Sequence, residues 1–287
     1  MLFSLLRGAI AVTLLIALAP LASAAGFSGP RQPLVIGDTL MLESRALAET
    51  RRINVYAPPA YGEEPGTRRP VLVMPDGGLA EDFLHVAGLL QVGVANGTVR
   101  PVLLVGIENT QRRRDLTGPT EQDSDRKIAP LVGGSAAFRA FIRDELLPAI
   151  AARYRVTDER VLMGESLAGL FTVETWALEP SLFSTYIAFD PSLWWNNAGL
   201  TPATQTALRQ RKGMAPLLFL ATSSEPSLVA PAQAFVTMLQ RELAPGSIWH
   251  YQPMPQESHA TIYHPAALLA LRQLLKPVTP AAGASRP

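Results

Sequence analysis

No cysteine occurs in the 287 residues. That absence excludes disulfides, catalytic thiols, thiolate metal sites and an acylated lipoprotein N-terminus together. Charge imbalance is also missing: 25 Lys and Arg stand against 24 Asp and Glu, a formal net charge of +1. Bulk electrostatics therefore points to neither nucleic acid nor an anionic membrane. Only Arg112-Arg113-Arg114 forms a local basic run, too short for a nucleic-acid patch. The apolar stretch from Ala9 to Leu21 falls short of the roughly 20 residues that span a bilayer. With Arg7 before it and Ala22-Ser23-Ala24 after it, it reads instead as a signal peptide over residues 1–24, with a mature start near Ala25. The expected location is periplasmic or secreted, with no membrane insertion after cleavage. Hydrophobic residues make up 48% of the chain, enough for one large domain held by its core alone.

What is present is an alternation of strands and helices. Residues 25–50 read as a Pro/Gly-rich arm with a first strand at Thr39 to Glu43. Further strands are expected at Arg51–Tyr56, Pro70–Met74, Val102–Ile107, Arg160–Met163, Thr185–Asp190, Pro216–Ala221 and Ile248–Gln252. Helical periodicity marks Phe83–Val94, Ser135–Tyr154, Leu170–Trp176, Thr201–Arg211, Leu228–Leu243 and Pro265–Leu275, with Pro148 kinking or interrupting the second. The polar stretch from Asn109 to Leu131 is too long for a passive connector. Strands apolar on both faces and alternating with helices mean an α/β fold, a mostly parallel central sheet with helices on both faces. The domain is expected over residues 51–276, with a flexible Pro/Ala-rich tail over 277–287.

One six-residue string carries chemistry: Gly164-Glu165-Ser166-Leu167-Ala168-Gly169, between an expected strand and an expected helix. Strand, Gly-x-Ser-x-small, helix is the nucleophile elbow of an α/β-hydrolase. The sharp turn strains the serine backbone, so the neighbours two before and two after, Gly164 and Ala168, must be small. A serine hydroxyl needs a base, and the base needs an acid that fixes its tautomer and stabilises the imidazolium. In this fold the order along the chain is Ser, acid, His. Of the four histidines, His85 precedes the serine and His250 lies in a strand. His259, in the loop before the last helix, is the expected base and His264 the fallback. Glu225, in the loop after the strand ending at Ala221, is the expected acid, with Asp190 second. Glu257 reads as a local loop contact. The oxyanion donors are expected to be the N–H groups of Leu167 and, in the Asp76-Gly77-Gly78 turn, Gly77. No metal or organic cofactor is required.

Several blocks resemble the putative esterase family of α/β-hydrolases, in the branch containing periplasmic siderophore-ester hydrolases. They are Arg52-Ile53-Asn54-Val55-Tyr56, Pro70 through Gly77, Asn109 through Thr117, Phe138 through Pro148, the elbow, Pro191-Ser192-Leu193-Trp194-Trp195 and the His259 loop. The resemblance implies a serine esterase with Ser166 and His259 as nucleophile and base. It also implies that Arg112 and Arg114 border the substrate cleft and that Trp194 and Trp195 form an apolar wall. The chain departs from the pattern at Ala168, where Gly is usual, and at Asp190, where a small hydroxyl residue is expected. The function expected is an exported hydrolase of small-molecule carboxylic esters working through an acyl-enzyme, with siderophore-type esters the substrate class suggested. Acyl transfer to an alcohol or sugar on the same fold is the alternative, and a non-catalytic binding protein on a hydrolase scaffold the third reading.

Overall fold

The computed structural model describes residues 29–60, 62–64 and 66–277. The leader at residues 1–24 and nearly all of the tail lie outside the described residues. The sheet and helices belong to a unit that begins at Ile36. Eight strands form one sheet: β1 (Asp38–Ser44), β2 (Glu49–Tyr56), β3 (Arg69–Pro75), β4 (Leu103–Ile107), β5 (Val156–Glu165), β6 (Thr185–Phe189), β7 (Leu217–Thr222) and β8 (Trp249–Pro253). Their spatial order is β1-β2-β4-β3-β5-β6-β7-β8. β2 runs antiparallel to both β1 and β4. The remaining pairings, from β4 to β8, are all parallel. This is the mostly parallel sheet that the alternation of apolar runs predicts, in the α/β-hydrolase arrangement that the elbow implies.

Period-two alternation divides the core into two layers. Val71, Val73, Val105, Leu162, Ala188 and Leu220 face one side, beneath α6 (Ser166–Leu178) and its neighbours. Leu72, Met74, Leu104, Val161, Met163 and Ile187 face the other, beneath α1 (Phe83–Ala95) and α10 (Tyr263–Leu274). Every residue of α6 from Leu167 to Ala177 is buried, so over this stretch the helix has no solvent face; its polar members are satisfied inside, Thr172 and Thr175 by backbone carbonyls and Glu174 by Arg139.

The long polar stretch is structured by two short helical turns, α2 (Arg112–Leu116) and α3 (Asp123–Arg126). The helix expected over residues 135–154 divides into α4 (Ser135–Phe141), a π-helical turn at Ile142–Leu146 and α5 (Leu147–Arg153). The irregularity lies just before Pro148 because the ring and missing N–H of proline disrupt the preceding turn. α7 (Trp195–Ala198) is a tight turn with left-handed Asn196 and Asn197. α8 (Leu200–Gln210) and α9 (Pro226–Glu242) complete the set. Among the described residues no helix is long and apolar enough to cross a membrane.

Candidate active site

β5 ends at Glu165 and α6 begins at Ser166, whose φ is +59°. Two further non-glycine residues with left-handed backbone close the neighbouring strands: Asp76 (φ +56°) after β3 and Asp190 (φ +42°) after β6. β3, β5 and β6 are adjacent, so the three strained positions lie side by side along one end of the sheet. Such backbone costs of order 1–3 kcal/mol per residue and persists only where the surroundings fix it. The elbow's steric rule is visible at Gly164, where a Cβ would stand 2.6 Å from the carbonyl carbon of Ala168 and 2.7 Å from its Cβ. Ala at position 168 is therefore accommodated because Gly164 has no side chain.

The structure brings Ser166, His259 and Asp190 into one hydrogen-bonded row. Ser166 Oγ lies 3.1 Å from His259 Nε2, and His259 Nδ1 lies 3.0 Å from Asp190 Oδ2. The Asp190 carboxylate is completely buried. Its Oδ1 accepts the Ser223 backbone N–H at 2.6 Å and its Oδ2 the Ser223 hydroxyl at 2.5 Å. Burial pushes this carboxyl up, but hydrogen bonds from His259 and Ser223 outweigh it and hold the pKa below the ordinary value. The hydrogen bond to Asp190 raises the His259 pKa against the opposing effect of burial, helped by the charges of Glu165 and Glu225.

Glu225 does not pair with the histidine. It occupies the N-cap position of α9, and its Oε1 lies 3.5 Å from the Ser227 hydroxyl. Chain direction explains the difference: beyond Thr222 the chain has already turned into α9 when it reaches Glu225, whereas Asp190 directly ends the strand beside β5. The loop after β7 contributes Ser223 instead, which clamps Asp190. Glu257 contributes its backbone carbonyl to Ser224, through N–H at 3.1 Å and hydroxyl at 2.9 Å, tying the histidine loop to the β7 loop. His264 is elsewhere, with Nδ1 3.0 Å from His85 Nε2 on α1.

Gly77 is also corrected as an oxyanion donor. Its N–H donates to Ile107 O at 2.9 Å, continuing the β3–β4 ladder. A Cβ on it would meet Gly106 Cα at 2.3 Å, so the glycine is there for close backbone approach. The N–H of Gly78 donates to Glu81 Oε2 at 2.7 Å and so already faces a carboxylate oxygen. Leu167 lies in the first turn of α6, where backbone N–H groups have no partner within the helix.

Arg112 joins the site and Arg114 does not. Arg112 grips Asp76 with Nε at 2.7 Å and Nη2 at 2.8 Å, and its charge acts on Glu165. All three guanidinium nitrogens of Arg114 are engaged by Asp115 and Glu49, in a cluster around the buried Arg51. Trp194 is half-buried against the core and tilted on Trp195, which donates from Nε1 to Gly118 O at 2.9 Å. Two neighbours of Ser166 escape sequence reasoning. Ser192 donates its N–H to Ser166 O at 3.0 Å and places its hydroxyl 3.5 Å from the Ser166 hydroxyl. Glu165 places Oε1 3.3 Å from His259 Nδ1. The tight Pro191-Ser192 turn was the available signal for the first; for the second there was none, since the elbow motif leaves that position open.

Residues 44–221, more than half of the chain, match the family described as "Putative esterase". The chain belongs to that family. Among curated relatives, it is 36% identical over 111 residues to the ferri-bacillibactin esterase BesA of Bacillus subtilis, covering 34% of this chain and 38% of BesA. It is 25% identical over 238 residues to the iron(III) salmochelin esterase of Escherichia coli, covering 78% of this chain and 52% of that one. The chain thus spans about half or less of these relatives. Among solved structures, an IroE-like serine hydrolase from Shewanella oneidensis superposes with a TM-score of 0.75 at 27% identity, over 83% of this chain and 80% of the other. The BES protein from Bacillus cereus gives a TM-score of 0.75 at 21% identity, over 88% of this chain and all of that one, a likeness of fold.

Proposed function

We propose that this member of the esterase family hydrolyses carboxylic esters through a Ser166 acyl-enzyme. The observation that carries the reading is the continuous row Ser166 Oγ, His259, Asp190 at 3.1 and 3.0 Å. In the first half-reaction His259 Nε2 takes the hydroxyl proton as Ser166 Oγ attacks the ester carbonyl. Asp190 keeps its own charge, fixes Nδ1 as the donor and stabilises the imidazolium. The tetrahedral oxyanion is received by the N–H of Leu167, in the unpartnered first turn of α6; one such donor is typically worth about 3–4 kcal/mol. His259 returns the proton to the leaving alcohol, and water repeats the sequence on the acyl-enzyme.

The substrate class we propose is a siderophore-type ester, on the strength of the relatives named as siderophore esterases. Arg112 and Trp194 are its proposed contacts. Arg114 is dropped, because its guanidinium is taken up within the protein. A fluorophosphonate should label Ser166 alone, and Ser166→Ala should abolish both labelling and turnover of short-chain esters and a trilactone siderophore while keeping its thermal stability. Labelling at a different serine, or substantial turnover by the variant, overturns the reading.

Export to the periplasm or beyond is proposed from Arg7, the apolar stretch and Ala22-Ser23-Ala24. Mass spectrometry of a periplasmic fraction should find a chain starting at Ala25 or Gly26. An intact Met1 species in the membrane pellet would count against it.

A further inference from the structure

Glu165 occupies the variable place of the elbow, so the motif gives it no task, yet its side chain is turned inward and only 16% exposed. Its Oε1 stands 3.3 Å from His259 Nδ1, the nitrogen that Asp190 Oδ2 holds at 3.0 Å. The neutral ring carries one proton, and when Nε2 accepts from Ser166 that proton sits on Nδ1, where Asp190 accepts it. The contact with Glu165 is therefore of ion-pair type, and it grows in weight when the ring becomes an imidazolium. We propose that Glu165 is a positioning residue for the base: a second carboxylate against Nδ1 of His259 that stabilises the imidazolium and sustains catalysis when Asp190 is lost. The inference rests on the hydrolase reading above.

The surroundings set its pH range. Glu165 faces His259, Arg112, Asp190 and Asp82, with Tyr263 of α10 also within range of its charge. Arg112 shares its own charge with Asp76, so it neutralises Glu165 only in part. Burial pushes the Glu165 carboxyl up to about 7, with Asp190 and Asp82 adding to the effect and His259 and Arg112 opposing it. Below that pH a growing fraction is protonated and no longer supports the imidazolium. Above that pH the proton balance is simple: Ser166 gives its proton to His259 Nε2, Nδ1 keeps its own, and both carboxylates remain ionised.

The test is a cycle of wild type, Glu165→Gln, Asp190→Asn and the double variant, read by kcat/KM against pH and by NMR titration of the His259 ring. Glu165→Gln should lower the high-pH plateau about three- to tenfold and move the acidic limb to lower pH, because one group that raises the His259 pKa is gone. In the Asp190→Asn background the same change should cost more than about tenfold, since the two carboxylates act on one nitrogen. Equal losses in both backgrounds, with an unmoved His259 midpoint, overturn the inference. The NMR midpoint needs no substrate. It decides the role of Glu165 even if no ester is turned over, an outcome that would sink the hydrolase reading alone.

Discussion

Asp190 and Glu225 differ by the route each takes to His259. Asp190 ends its strand with a left-handed backbone that aims its carboxylate at the histidine, and Ser223 holds both oxygens. Glu225 acts on the ring only through its charge. Asp190→Asn should lower kcat/KM on an activated ester by at least about tenfold, because the amide stabilises the imidazolium poorly and favours the wrong tautomer. Glu225→Gln should stay within about threefold. The reverse ranking would return the acid to the β7 loop. The proposed nucleophile and base, Ser166 and His259, stand out in the sequence because motif and chain order point at them. The carboxylate that contacts the ring does not, because two carboxylates follow adjacent strands and only the turn after each decides which reaches it.

At the scale of the element, the segment that carries Arg112 is held by charge buried beneath it. Arg51, on β2, is fully buried and donates from Nη1 to Asp115 (2.6 Å), Glu49 (2.9 Å) and Thr110 (2.9 Å), and from Nη2 to Glu108 O (2.8 Å). The Phe138 ring lies 5.3 Å from its guanidinium carbon. Removing the arginine takes from the buried Asp115 one of its two guanidinium partners, leaving it Arg114 alone, so Arg51→Ala should cost about 3 kcal/mol in denaturant unfolding, the lower end for breaking a buried pair. Burial alone would raise the Glu49 pKa, but hydrogen bonds from Arg114, Thr110 and Arg51 hold it at about 2 against an ordinary 4.5. Its folded-state pKa is depressed, so its contribution is complete above 4.5 and is lost as pH falls through about 2. Thermal scans from about pH 5 to about pH 2 should show a steeper fall in Tm for wild type than for Glu49→Gln. None of this cluster was readable beforehand, since Arg114 looks in sequence like any arginine of a polar loop.

For the molecule as a whole, the central strands could be anticipated from runs such as Val71–Met74 and Leu217–Ala221, because a strand buried on both faces is apolar throughout, and β2 from its alternation. The strand order and the antiparallel pairing of β2 with β4 could not, since crossover geometry leaves no mark on composition. That order also separates the proposed nucleophile and base mechanically. Ser166 follows a central strand, while His259 hangs from the loop after β8, the half-buried strand at the edge. Edge strands open at lower free energy than the centre of a sheet. Fraying at β8 would carry the base away while the elbow stayed folded. In low denaturant, esterase activity and fluorophosphonate labelling should therefore fade before the far-ultraviolet circular dichroism changes, and amides of β8 should exchange with deuterium ahead of those in β5. Simultaneous loss of both signals would show that the edge opens only with the whole. Turnover in this protein would then act as a gauge of how tightly its outermost strand is zipped.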